Sequence, residues 1–275
     1  MTTLTLPAPT PTDTDVVTEG RPAPLLAVLD TLAIAKRNLI GLMRTPTTVV
    51  FSTIQPIIFV LMFRYVFGGA IHIPGVRYVD FLMPGIFVQT VCFGAQNTGV
   101  GLATDMQTGL IERFRSLPMA RSAVLGGRTL ADMVRNAFVI VLMVAVGYLV
   151  GFRVHTGVLP FLAAMGLLLL FGLAMSWVMA FVGLLTGNAE ASQAASFPIL
   201  AILVFASSAF VSPKTMPGPL RAYASHQPVT ATINAVRALV LGGPTAERVV
   251  AALAWGIGIT VAFAVLATAR YRRAS

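Results

Sequence analysis

The residues best equipped for chemistry lie in one stretch, Asp105 to Pro118, which reads DMQTGLIERFRSLP. Asp105, Glu112, Arg113 and Arg115 bring both signs of charge into a segment that apolar runs flank on either side. No histidine or cysteine stands among them, so the chemistry on offer is ion pairing and docking rather than bond making. Met106, Leu110, Phe114 and Leu117 fall on one side of a helical wheel, and Glu112 and Arg115 lie opposite with i,i+3 spacing suited to a pair. Gly109 sits within the stretch and Pro118 stops it, which predicts a short amphipathic helix over 105–118. Such a helix is either an interfacial element with a solvated charged face or a surface on which another protein pushes.

Other catalytic patterns are absent from the sequence. GxxxxGK[ST] occurs nowhere and the only lysines are Lys36 and Lys214, so this polypeptide does not hydrolyse ATP through a P-loop. HExxH, CxxC and GxSxG are missing as well. His72, His155 and His226 are far apart and read as interfacial polar residues rather than metal ligands. Cys92 lies inside an apolar run, where a buried structural thiol is expected, and a single cysteine excludes an intrachain disulfide. Asp80, Asp105, Asp132, Glu190 and Glu247 are placed at or beyond the ends of apolar runs, which argues against a carboxylate proton relay in the membrane. Gln89, Gln96 and Asn97 sit within a run instead. Side chains of that type are costly against lipid and belong in a bundle interior, lining a substrate path or bonding neighbouring helices.

The elements that must position these residues are membrane helices. Of 275 residues 56% are hydrophobic and 11% charged, and the mean hydropathy is +0.84, far from the roughly one-quarter charged residues of a soluble domain. Backbone groups in lipid must be satisfied within each span, so an all-α membrane fold is expected. A span needs about 20 largely apolar residues, and six runs qualify: 47–67, 81–103, 133–151, 158–186, 191–211 and 249–269. Pro56 is expected to kink the first. Residues 1–24 are rich in Thr and Pro, lack the apolar core of a signal peptide, and read as a disordered cytoplasmic tail.

Residues 25–44 form an amphipathic interfacial helix with Leu25, Leu29, Leu32, Leu39 and Met43 on one face and Lys36 interrupting it. Residues 45–270 are then the spanning domain and 271–275 a basic tail. The outer connection 212–248 holds five prolines and the short apolar run 231–241, which predicts short re-entrant helices. With both termini inside, the cytoplasmic face carries twelve Lys and Arg against seven outside, so the positive-inside rule favours that topology. The net charge of +9 reflects basic residues punctuating apolar runs, which suits a lipid surface and not nucleic acid. Arginine in place of lysine hints at a GC-rich bacterial genome, hence a bacterial cytoplasmic (inner) membrane.

The stretch from Asp105 to Arg121 resembles the signature of type-2 ABC exporter permeases, especially the daunorubicin/doxorubicin-resistance group, through Asp105, Gly109, Arg113, Phe114, Arg115, Ser116, Leu117 and Pro118. FLMPG at 81–85 is similar to that family's approach to its second span, and HQPVTATINAVRAL at 226–239 to its outer segment before the last span. The resemblance covers residues 25–270. It implies a six-span half-transporter that pairs with a second copy of itself and two copies of a separate ABC-type ATPase, which would hold ATP and Mg. Glu112, Arg113, Phe114 and Arg115 would form the ATPase-coupling contact, with Asp105, Gly109 and Pro118 shaping it. The helix 25–43 would pack beside that contact, and cargo would pass along the first, second and fifth spans. The implied cargo is an amphipathic or hydrophobic small molecule such as a drug, antibiotic or lipid-like metabolite. Polysaccharide or lipid-linked glycan export is the alternative within the family. Outside it stand an integral membrane lipid-modifying enzyme and a structural subunit of a larger complex.

Overall fold

The computed structural model describes residues 23–44, 46–69, 75–110 and 121–273, and the regular structure among them is all helical, with no strand. In chain order the helices are α1 (Ala23–Arg44), α2 (Pro46–Leu61, continued by a π-helical turn Met62–Phe67), α3 (Tyr78–Gln107), α4 (Arg121–Leu149), α5 (Val158–Thr186), α6 (Ala189–Phe205), α7 (Gly218–His226), α8 (Pro228–Leu241) and α9 (Ala246–Arg273). Local sequence accounts for several boundaries. Gly187, at φ +61°, ends α5 in the left-handed conformation that glycine adopts without strain. The next residue, Asn188, caps α6 by accepting hydrogen bonds from the backbone N–H groups of Glu190 and Ala191 at 2.8 and 3.1 Å. A two-residue turn therefore reverses the chain.

α3 is the central column and packs against α2, α4, α5, α6 and α8. Its apolar window is 83% buried, whereas that of α9 is 11% buried and faces outward through Val250, Ile257, Val261 and Val265. A helix buried on all sides carries no amphipathic stripe, and α3 reads as evenly apolar for that reason. Among the described residues four helices, α3, α4, α5 and α9, are long and apolar enough to cross a membrane. α2 and α6, at 16 and 17 residues, are shorter apolar helices.

The structure departs from the sequence-based expectation in three places. α4 begins at Arg121 instead of residue 133, because its early charges form a stripe against α3 and are not exposed to lipid. Asp132 consequently lies inside an apolar candidate span, 125–149, rather than at its end. Asp105, Met106 and Gln107 form the last turn of α3, so no separate helix starts at Asp105. α6 stops at Phe205, short of residue 211, because the chain beyond it unwinds to bond with α8. The two short helices expected within 212–248 are α7 and α8, of 9 and 14 residues. On α1, Ile34 and Ala35 are buried while Leu29 and Leu32 remain open. Its packed face meets α4, where a Cβ on Gly127 would come within 2.7 Å of Ile34 Cβ and the Thr31 carbonyl.

Candidate functional site

Asp105 closes α3 at a junction of three helices. Its carboxylate accepts a hydrogen bond from Arg128 of α4, and Arg37 of α1 adds its positive field at the same group. One turn on, Gly109 takes φ +67° and its N–H donates to the Met106 carbonyl at 3.2 Å. That left-handed residue closes the end of α3, which explains a glycine at this point of the signature. Beside it, Gln107 accepts from the Ala189 N–H at 3.3 Å and ties the end of α3 to the start of α6. Glu112, Arg113, Phe114, Arg115 and Pro118 lie outside the described residues.

A polar ladder runs from Asp105 into the bundle between α3 and α4. Arg128, Asp132 and Arg135 share one face of α4 at i, i+4, i+7 spacing. They meet α3 at Asp105, Thr98 and Gly94. Thr98 donates to Asp132, Arg135 donates to the Gly94 carbonyl, and Arg135 pairs with Asp132 at 3.3 Å. Thr98, Asp132 and Arg135 are each less than a tenth exposed. Arg128 thus meets Asp105 across the seam, and Arg135 meets Asp132 along α4. Gly101 of α3 seats the Arg128 side chain, since a Cβ there would occupy the space of the guanidinium.

The seam between α3 and α6 is different in kind. Gln96 donates to the Gln193 carbonyl at 3.3 Å. Gln89 is buried, and its side-chain oxygen has no hydrogen-bond partner among the described residues. Asn97 is half-buried. Gln96 therefore bonds a neighbouring helix, while Gln89 keeps a buried acceptor open. α3 also approaches α5 backbone to backbone: a Cβ on Gly183 would come within 2.9 Å of the Gly99 carbonyl carbon, and one on Gly99 within 2.5 Å of the Met179 oxygen. Small residues at a helix crossing allow this closeness.

At the far end of the bundle, the sequence reading missed an anchor. Arg237 of α8, one of the seven basic residues that the expected topology places outside, is 8% exposed. It donates to the carbonyls of Phe81, Ser208 and Ala209 at 3.0, 2.6 and 3.3 Å, and lies 3.6 Å above the Phe81 ring. Thr230 accepts from the Ser208 N–H at 3.1 Å, and Gln227 donates to the Ala206 carbonyl. Gly85 completes the fit, because a Cβ there would come within 2.8 Å of Ala209 Cα. FLMPG and the 226–239 segment thus meet in space and hold the unwound end of α6 between them. Five phenylalanines pack alongside: Phe59, Phe63 and Phe67 of α2 and its π turn with Phe205 and Phe210, the tightest pair being Phe63 and Phe210 at 4.4 Å. Their spread over 150 residues hid this group from a local reading.

A buried helical column, a charged junction at one end and a motif-built anchor at the other belong to a polytopic membrane protein. Residues 30–241 match the family described as ABC-2 type transporter, and the chain belongs to that family. Members of this family are transporter permease components rather than enzymes. The chain is 35% identical over 252 residues to a daunorubicin resistance ABC transporter permease of Streptomyces coeruleorubidus, covering 92% of this chain and 89% of that one. It is 30% identical over 260 residues to a probable doxorubicin resistance ABC transporter permease of Mycobacterium tuberculosis, covering 92% of each. A putative transport permease of Cyanophora paradoxa is 24% identical over 219 residues, or 77% of this chain and 74% of that one.

Proposed function

We propose that this chain is the permease subunit of an ATP-driven exporter, working as a pair with a second copy and with two copies of a separate ABC-type ATPase. The observation that carries the reading is where the signature segment attaches. It leaves α3 just after the Asp105 junction and leads into α4, so a partner pressing on residues 111–120 acts directly on the buried column. Glu112, Arg113, Phe114 and Arg115 are the contact residues in this reading, with Pro118 ending the segment. ATP and Mg are held by the partner, consistent with a sequence that lacks a P-loop.

The same reading takes α2 and α6 as two further spans beside the four long helices, giving six, with α7 and α8 re-entering from outside and α1 lying in the interface. Both termini are cytoplasmic, the membrane is the bacterial inner membrane, and the permease domain expected over 45–270 runs on to the end of α9, where Tyr271 is buried against the bundle. Cargo is an amphipathic or hydrophobic small molecule, a drug, antibiotic or lipid-like metabolite. Two features support that class: the phenylalanine group where α2 meets the end of α6, and the open acceptor of Gln89 beside Gln96 and Asn97.

The test is affinity purification of the tagged chain from gently solubilised membranes, with partners identified by mass spectrometry. A P-loop ATPase is expected with the native chain and lost with Arg113→Glu/Arg115→Glu, while the variant still inserts. Recovery of the native chain without any ATPase would overturn the reading.

A further inference from the structure

We propose that the charged face of α4 and its seat on α3 lock these two helices into one lever, with Gly101, Arg128, Asp132 and Arg135 as positioning residues for energy coupling. The inference rests on the coupling reading of residues 111–120 given above.

Both ends of that segment feed this pair, α3 through Gly109 and α4 through Arg121. If the helices could slide, a displacement at the segment would be absorbed between them. The ladder opposes sliding. From Gly94 to Asp105 the contacts extend about 16 Å along α3 at the helical rise, and they recur at Gly94, Thr98 and Asp105. A shift by one turn would separate Asp132 from Thr98 and Arg135 from the Gly94 carbonyl. The Arg128–Asp105 pair that crosses the seam would part as well. Asp132 and Arg135, still paired with each other along α4, would lose the α3 hydrogen bonds that their burial demands. The Arg128 guanidinium lies against Gly101, so a side chain there would push it from its place beside Asp105. α1 joins through Arg37 at Asp105 and through its contact on Gly127, so it travels with the pair.

The faces of α3 toward α5 and α6 carry no charge pair among the described residues. Against α5 the approach is made by Gly99 and Gly183. Against α6 the described side-chain bonds are those of Gln96 and Gln107, both neutral amides. Neutral amide bonds re-form at a new register with less loss than an ion pair, whereas the Gly99–Gly183 contact holds α3 to α5 at one register. The structure therefore places the stiff seam at α3–α4 and the sliding seam at α3–α6, beside the residues assigned to the cargo path.

Gly101→Ala tests the idea without changing charge. Alanine suits a helix interior better than glycine, yet its methyl must evict the Arg128 guanidinium. The permease–ATPase complex is reconstituted in vesicles, and cargo efflux and ATP hydrolysis are measured together, using doxorubicin as the probe. Gly166→Ala on α5, where a Cβ meets nothing within 4 Å, is the matched control. Gly101→Ala is expected to accumulate normally and to lose at least about five-fold in efflux per ATP, the low end of ordinary coupling energies. The control should match the native chain. Arg128→Gln removes the same rung with no clash, and should show the same loss if the alanine variant fails to fold. Native efflux per ATP in a folded Gly101→Ala or Arg128→Gln complex overturns the proposal. Should the native complex itself show no ATP-dependent efflux, the coupling reading fails first, and the lever falls with it.

Discussion

Replacing Arg237 with Ala offers the most direct measure of how the far end of the bundle is held. The guanidinium makes three bonds to main-chain oxygens, at 3.0, 2.6 and 3.3 Å. Polar contacts between membrane helices average about 0.6 kcal/mol, which sets a lower bound near 2 kcal/mol for the three. Charge-assisted bonds in a protein interior are worth ~1.5–3 kcal/mol each, so the upper bound is higher. Stacking at 3.6 Å on Phe81 adds ~1 kcal/mol. A loss of about 3–5 kcal/mol follows, because the buried carbonyls of Ser208 and Ala209 are left without a donor. For a chain of this size each kcal/mol moves Tm by about 2–4 °C, so the purified protein in detergent should melt about 10 °C lower. Arg237→Lys keeps the charge but cannot fork to several carbonyls, and should recover less than half of that. The assay is thermal unfolding followed through the buried Cys92, which reacts with a thiol dye only on opening. A fall of less than about 2 °C for Arg237→Ala, within the spread of surface substitutions, would refute the anchor.

The remaining predictions address the seams of α3. Gly183→Ala drives a methyl into the Gly99 backbone and should lower the yield of folded protein sharply, by about 2–4 kcal/mol on the scale of core overpacking and backbone displacement, read by the same melting assay. Gln96→Leu removes one interhelical bond, worth about 0.6 kcal/mol in a membrane, so abundance should stay near native while the range of exported compounds shifts. A fall in abundance with unchanged range would make Gln96 a structural bond alone.

Long apolar runs declare themselves in composition, because lipid demands continuous hydrophobic length and internally bonded backbone. That determined the helical class, the 158–186 helix to the residue and the short helices before α9, while the family was legible only through the resemblance at 105–121. Residue-by-residue apolarity also showed that Gln89, Gln96 and Asn97 needed an interior. It could not show which neighbour they would meet, since a side chain's partner depends on how helices cross. Asp132 reads as a carboxylate at the end of an apolar run, and only the packing of α4 on α3 placed it in a polar ladder with Arg128 and Arg135. Arg237 read as an outer charge, and the meeting of α8 with the unwound end of α6 made it an anchor. Sequence reports how much polar surface a segment carries; tertiary contact alone decides whether that surface is hydrated or paired, because burial and partnership are properties of two segments at once.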